Sequence, residues 1–196
     1  DGGSIMEIDY AQLEFRTAVF LAQDKQGMED IRNGVDVHQY TADIIGCSRQ
    51  EAKPHTFKPL YGGMSGTENE KKYYSAFLKK YPDIKAWHEK LQDEAIRTKV
   101  VTLPTGRQYA FPKAERMPWG GSSSSTQIKN YPVQGFATAD IVPLACINIQ
   151  ELLEEHNTKS LLINTVHDSI VADVFPGEER IVASCQIGRE SCRERV

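Results

Sequence analysis

The sequence predicts an α/β (α+β) fold: a small antiparallel sheet backed by helices, with a block of helices inserted between its first strand and its later ones. Three observations point there. Ser4 to Ile8 alternates like a half-buried strand and runs directly into a helical pattern from Gln12 to Ala22. Leu161, Leu162, Ile163 and then Ile170, Val171, Ala172, Val174 form two strand-like runs interrupted by His167-Asp168-Ser169. Between these ends, helix signals dominate.

The elements follow in order. After the first strand and helix, Val37 to Ile45 reads as a helix stopped by Gly46. Ser48-Arg49-Gln50-Glu51 is a capping box, in which a serine oxygen and a glutamate side chain satisfy exposed backbone donors, so a helix should begin at Arg49. Pro54 and Pro59 each remove a hydrogen bond, so this helix should kink or close early, around Gly62-Gly63. Glu68 to Lys99 is helical, with Tyr73, Phe77, Trp87, Leu91 and Ala95 as apolar landmarks and a break at Tyr81-Pro82. Val100 to Leu103 and Gln108 to Phe111 flank a Pro104-Thr105-Gly106 turn and read as a hairpin. Gly120 to Ser125 is a loop. Beyond Pro132, Gln134 to Glu155 is an amphipathic helix with Ala139, Val142, Ala145, Ile149 and Leu152 on one face. No internal repeat is present.

With 196 residues, 40% hydrophobic and 26% charged, the chain can bury a sizeable core in one or two domains. No stretch reads as the roughly 20 apolar residues that span a bilayer, and the start lacks a secretory pattern, so a cytoplasmic protein without a membrane partner is expected. Cys47, Cys146, Cys185 and Cys192 have neither paired nor zinc-like spacing and read as reduced thiols. A net charge of −4 argues against nucleic-acid binding by bulk electrostatics and leaves only local patches for it. The strand that begins almost at residue 1 and the closing GRESCRERV, which has no apolar periodicity, suggest a fragment with a foreign tail.

Two constellations carry chemistry. Asp9 ends the first strand where it hands over to a helix, and Asp168 sits in a hairpin turn without the glycine that such turns favour. Taken singly, Asp9 reads first as a helix cap and Asp168 as a turn residue. As a pair of strand-end carboxylates they could hold two Mg²⁺ ions about 3.5–4 Å apart, the arrangement used in phosphoryl transfer. The other constellation is Arg49, Lys53, Phe57 and Tyr61, four residues apart, which on one continuous helix would make a stripe roughly 18 Å long. Two cations suit a triphosphate, and two rings suit a base or sugar. A solvated basic turn followed by two core aromatics fits the same spacing.

These residues resemble DNA polymerase family A, the DNA polymerase I type, and its phage members in particular. DYAQLEFR (9 to 16) resembles motif A, RQEAKPHTFKPLYGG (49 to 63) motif B, and VHDS (166 to 169) motif C, in the family's order. DVHQYTADI (36 to 44), TGRQYAFP (105 to 112) and NYPVQGFATADI (130 to 141) extend the likeness from residue 5 to about 175.

The resemblance implies a palm of residues 1–30 and 101–184, fingers of 31–100, and a tail of 185–196 that is non-native or disordered. It implies template-directed DNA synthesis from primer-template DNA and dNTPs, with two Mg²⁺ ions for which Mn²⁺ can substitute. Asp9, Asp168 and the Tyr10 carbonyl would bind the metals, and Lys53 would act in catalysis as a proton donor to pyrophosphate. His38, Arg49 and Lys53 would contact the triphosphate, Phe57 would stack on the nucleotide, and Tyr61 would stand beside the templating base. Glu14 would exclude a ribose 2′-hydroxyl, with Gln12 and Arg16 as motif-level matches at the nucleotide. Asn130 and Gln134 would contact DNA near the primer end, and His167 would approach the primer terminus. Ser169 replaces the glutamate usual in motif C, which should alter metal affinity, and Thr126 replaces an arginine common in bacterial relatives. No thumb or exonuclease segment is legible, so an inactive nucleic-acid-binding fragment is the main alternative. A single-subunit RNA polymerase and a metal nuclease are the others. A viral protein acting in a host's cytoplasm and a bacterial cytoplasmic protein fit equally, and no processivity factor is identifiable.

Overall fold

The computed structural model describes residues 2–62, 66–118 and 120–187. Cα packing divides the chain into two units, one built from residues up to Leu13 and from Ala137 onward, the other from Glu14–Phe136. These boundaries differ from the expected 30/31 and 100/101. Residues 14–30 and 101–136, assigned to the palm from the sequence, pack with the inserted helices.

In chain order, β1 (Ser4–Asp9) belongs to the first unit, and α1 (Leu13–Ala22) enters the second after its first residue, Leu13. Then comes α2 (Lys25–Arg32), which the sequence reading missed because Met28 and Ile31 are the only large apolar side chains among its eight residues. Its start is set by Asp24, whose Oδ1 accepts the Gly27 N–H at 2.8 Å while Oδ2 accepts the Asp83 and Ile84 N–H groups at 3.0 and 3.2 Å. One buried carboxylate thus caps two helices, a tie that single-helix capping rules do not anticipate. Gly27 is required here, since a Cβ would stand 2.4 Å from the Val19 side chain.

α3 (Val37–Ile45) closes on left-handed Gly46 (φ 80°), and α4 (Arg49–Thr56) starts on the Ser48 capping box. α4 tolerates Pro54 but ends at Thr56, followed by a 3₁₀ turn, Lys58–Tyr61, that closes on Gly62 (φ 76°). The expected continuous stripe from Arg49 to Tyr61 is therefore interrupted, because Pro59 supplies no N–H for an α-helical bond. Gly63 lies outside the described residues.

α5 (Glu68–Lys80) and α6 (Pro82–Thr98) break at Tyr81 as expected, and Pro82 opens α6 where a missing N–H costs nothing. Phe15, Leu60, Tyr73, Tyr74, Phe77, Tyr81 and Ile84 form a fully buried cluster. Its edge-to-face contacts, such as Phe77–Tyr81 with centroids 4.8 Å apart, each contribute about 0.5–1.5 kcal/mol beyond area burial. β2 (Val100–Thr102) and β3 (Gln108–Ala110) make the expected hairpin.

α7 (Ser125–Gly135) begins well before the expected Gln134 and carries Pro132 within it. A π-helical turn, Phe136–Ile141, then leads into α8 (Val142–Glu155). The run Ser125–Glu155, 31 residues, is long and apolar enough by length and composition to cross a membrane, against the expectation that no stretch would be. It carries Lys129 and Asp140, and it buries Ile128 and Val133 in one unit and Val142, Ile149 and Leu153 in the other, while Tyr131, Leu144 and Ile147 are exposed.

The first unit is completed by β4 (Leu161–Val166), β5 (Ser169–Val174) and α9 (Glu179–Ile187). The sheet is antiparallel with order β1-β5-β4. Ile170, Ala172 and Val174 alternate inward against Val142, Ile149, Leu153, Val182 and Cys185, while Ile5, Leu161 and Ile163 stay exposed. Residues 185–187, expected in the tail, belong to α9; residues 188–196, including Cys192, lie outside the described residues. The described Cys47, Cys146 and Cys185 are free thiols.

Candidate active site

The β1–β5 ladder ends by pairing Asp9 with Ser169, so the β4–β5 turn is placed beside the end of β1. The Tyr10 N–H donates to the Asp168 carbonyl at 3.4 Å. The two carboxyl groups meet: partial desolvation, the charge of Asp168 and a hydrogen bond between them hold the Asp9 carboxyl above its usual range, and Glu7 adds to the effect.

The turn solves its glycine problem by putting His167 at φ 56°, and Gln12 adopts φ 56° on the other side. Two of the five left-handed non-glycine residues among those described thus flank the carboxylate pair. Backbone of this kind persists where packing over-determines it, often at functional sites. Ser169 is buried, and its hydroxyl lies 2.7 Å from Glu7 Oε1 and 3.0 Å from the Val166 carbonyl.

Among the described residues no group of three or more His, Cys, Asp or Glu stands ready to hold a metal. The Asp9–Asp168 pair nevertheless fits a hard divalent cation. Mg²⁺ takes oxygen ligands, keeps several waters and needs only one or two protein carboxylates when phosphates complete its shell. Burial raises Asp9 most and the charge of Asp168 adds to it, and a cation between the two carboxylates would relieve that second part.

In the second unit, His38, Arg49, Lys53 and Phe57 gather where α3 faces α4. Arg49 Nε donates to Asp36 Oδ2 at 2.6 Å. Lys53 is exposed with no ion-pair partner among the described residues, and the Phe57 ring meets His38 edge-on at 5.1 Å. Burial, Arg49 and Lys53 push the His38 imidazole below its usual pKa, against the opposing pull of Asp36. Elsewhere in this unit Glu14 accepts from both the Tyr61 hydroxyl and Gln134 Nε2, and Gln134 also reaches the Tyr61 oxygen at 3.1 Å. Burial, then Glu14, drives the Tyr61 phenol well above its normal pKa.

The family model for DNA polymerase family A matches residues 1–189. The chain belongs to that family. DNA polymerase I of Lactococcus lactis subsp. cremoris is 31% identical to this family A chain, over 89% of it and 22% of the relative. The thermostable DNA polymerase I of Thermus aquaticus is 27% identical over 97% of this chain and 24% of its own length. The chain thus spans less than a quarter of these relatives. In fold it is similar to the POL domain of Pol1 from M. smegmatis, a complex with DNA primer-template and dNTP, with a TM-score of 0.78 at 21% identity, covering 95% of this chain and 36% of that one.

Set on the family A fold, the expected residues fall into three groups. Asp9, Tyr10, Gln12, His167 and Asp168 gather at one end of the sheet; His38, Arg49, Lys53 and Phe57 share one surface; Glu14, Tyr61 and Gln134 form one hydrogen-bonded triangle. Arg16 is exposed on α1, and Asn130 is half-buried on α7. Sequence reasoning missed Glu7, although strand alternation puts it on the same face as Asp9. It also missed Asp36, which caps α3 through the His38 and Gln39 N–H groups and anchors Arg49. The buried Thr56, 3.0 Å from His38 Nδ1, and Thr41 behind it had no sequence signal at all.

Proposed function

We propose that this chain carries out template-directed DNA synthesis as part of a polymerase domain, transferring a dNMP from a dNTP to a primer 3′-hydroxyl. The observation that carries the reading is the meeting of Asp9 and Asp168 at the β1–β5 end in a chain of this family. Asp9, Asp168 and the Tyr10 carbonyl would hold two Mg²⁺ ions, which supply activation of the 3′-hydroxyl and charge neutralisation on the departing pyrophosphate.

The chain's own side chains do the rest. Arg49 offers a forked donor and Lys53 a mobile ammonium to the triphosphate, and Lys53 is free to protonate the leaving group. His38 adds a phosphate contact, and Phe57, held against it, offers a ring face to the nucleotide. Glu14, fixed by Tyr61 and Gln134, would stand where a ribose 2′-hydroxyl has no room. Asn130, Gln134 and His167 would touch the DNA near the primer end, with hydrogen bonds to minor-groove acceptors that test pairing without reading sequence. The likeness in fold to the Pol1 domain, itself in complex with DNA primer-template and dNTP, supports these partners.

Primer extension with Mg²⁺ tests the proposal. Extension that is lost in Asp9→Ala and in Asp168→Ala is the expected result. Salt-sensitive DNA binding without extension would identify a binding fragment, efficient use of rNTPs an RNA polymerase, and primer shortening a nuclease.

A further inference from the structure

We propose that Thr56, backed by Thr41, is a positioning residue that holds His38 in the Nδ1–H tautomer, so that the ring must take up a proton before its other nitrogen can donate to a bound phosphate. The inference rests on the reading of His38 as a triphosphate contact.

The tautomer is set by how few protons the buried hydroxyls have to share. His38 Nδ1 lies 3.0 Å from Thr56 Oγ1. Thr56 and Thr41 are fully buried, so no solvent enters the count. Thr41 Oγ1 donates to the Val37 carbonyl at 2.7 Å. Thr56 Oγ1 is 3.0 Å from the Ala52 carbonyl and 3.0 Å from Thr41 Oγ1. Each hydroxyl has a single proton. Thr41 gives its proton to Val37, and the Ala52 carbonyl and Thr41 oxygen both draw on the one Thr56 proton, which favours the imidazole as the donor in the His38–Thr56 bond. The neutral ring then has a bare lone pair on Nε2.

A phosphate oxygen is an acceptor, so a bare Nε2 repels it and a protonated one binds it. The groups facing the ring keep it neutral in the free protein. Burial, Arg49 and Lys53 on α4 disfavour its cation, and Asp36 at the start of α3 favours it. From α5 comes Tyr73, whose hydroxyl donates to the Thr56 carbonyl at 2.9 Å and whose pKa burial raises, so it stays neutral. Phe57 contributes only a ring edge. A triphosphate paired with Arg49 and Lys53 reverses the sign of this field, and binding then draws up to one proton from solvent.

The test combines imidazole ¹⁵N spectra of the free chain with dATP titrations between about pH 5 and pH 8, in the natural chain, Thr56→Ser and Thr56→Val. The expected result is Nδ1–H in the natural chain and in Thr56→Ser, with dATP affinity falling as pH rises by up to about tenfold per unit, the limit for one proton. In Thr56→Val the Nε2–H form appears and the slope flattens. If Thr56→Val does not fold, Thr56→Ala removes the same hydroxyl. An Nε2–H ring in the natural chain, a pH-independent affinity, or an unchanged slope in the hydroxyl-deleted variant overturns the inference. Failure to bind dATP at any pH with the Nδ1–H ring in place overturns the triphosphate reading, and the proton coupling with it; the spectrum tells the two failures apart.

Discussion

Asp9 and Asp168, near opposite ends of the chain, stand side by side at one end of a three-stranded sheet, where β1 pairs Asp9 with Ser169 and the Tyr10 N–H donates to the Asp168 carbonyl. Their closeness costs the fold something when both are ionised, and a divalent cation bound between them would offset that cost.

The first prediction concerns that repulsion. Because the Asp9 pKa is raised on folding, the stability it contributes is present below its unfolded value and is lost as pH rises through the folded one. At neutral pH without metal, Asp9→Asn should therefore melt at or above the temperature of the natural chain. Mg²⁺ at about ten times its Kd should add roughly 1.4 kcal/mol to the natural chain and far less to Asp9→Asn. Calorimetric melts with and without Mg²⁺ check both signs, and equal Mg²⁺ shifts in the two proteins would refute the metal assignment.

Asp24 should be among the most sensitive positions for stability. Asp24→Ala removes the cap of α2 and strands two N–H donors at the start of α6. A lost cap costs about 0.5–2 kcal/mol and a buried unsatisfied donor about 1–3 kcal/mol. Urea melts should show a loss of about 2–4 kcal/mol, and Asp24→Asn, which keeps one acceptor oxygen, should fall between.

Asp30 sets an acid limit. Burial would raise its carboxyl, but hydrogen bonds from Lys80 (2.7 Å), Tyr81 (2.8 Å) and Gln26 (3.0 Å) overcome this and lower it. A lowered pKa gives stability that is present above the unfolded value and lost as pH falls through the folded one. Unfolding followed by circular dichroism below about pH 4 should be less steep in Asp30→Asn. That variant should also be weaker at neutral pH by about 3–5 kcal/mol, because Lys80 loses its buried partner.

Glu14 should control sugar choice. With Tyr61 and Gln134 both donating to it, its carboxylate is fixed in place. Glu14→Ala should raise rNTP use relative to dNTP by at least about tenfold, a change of about 1.4 kcal/mol in barrier difference. Tyr61→Phe, which removes one of the two donors and leaves Gln134 on the carboxylate, should give a smaller relaxation. Single-nucleotide incorporation with matched dNTP and rNTP measures the ratio; an unchanged ratio in Glu14→Ala would remove Glu14 from this role.

Local signals were readable wherever the chain satisfies itself over a few residues. The Ser48 capping box, Gly46 closing α3, Pro82 opening α6 and the β2–β3 hairpin all act within one or two turns, and each stands where the sequence puts it. The misses share a cause. α2 is held by a cap that also serves α6, and α7 starts early because Ile128 and Val133 are buried by partners remote in sequence. The Arg49–Tyr61 spacing fitted a helix, but Pro59 breaks it between Phe57 and Tyr61.

The sequence alone determined the alternation of β1 and β5, the order of the motifs and hence the family, because these depend on side-chain type and spacing. Tertiary structure alone decided that Asp9 meets Asp168, that Glu14 is gripped by Tyr61 and Gln134, and that the buried Thr56, backed by Thr41, lies against the His38 ring. Each of these is a contact between residues far apart along the chain, and only the packed core fixes the distance between them.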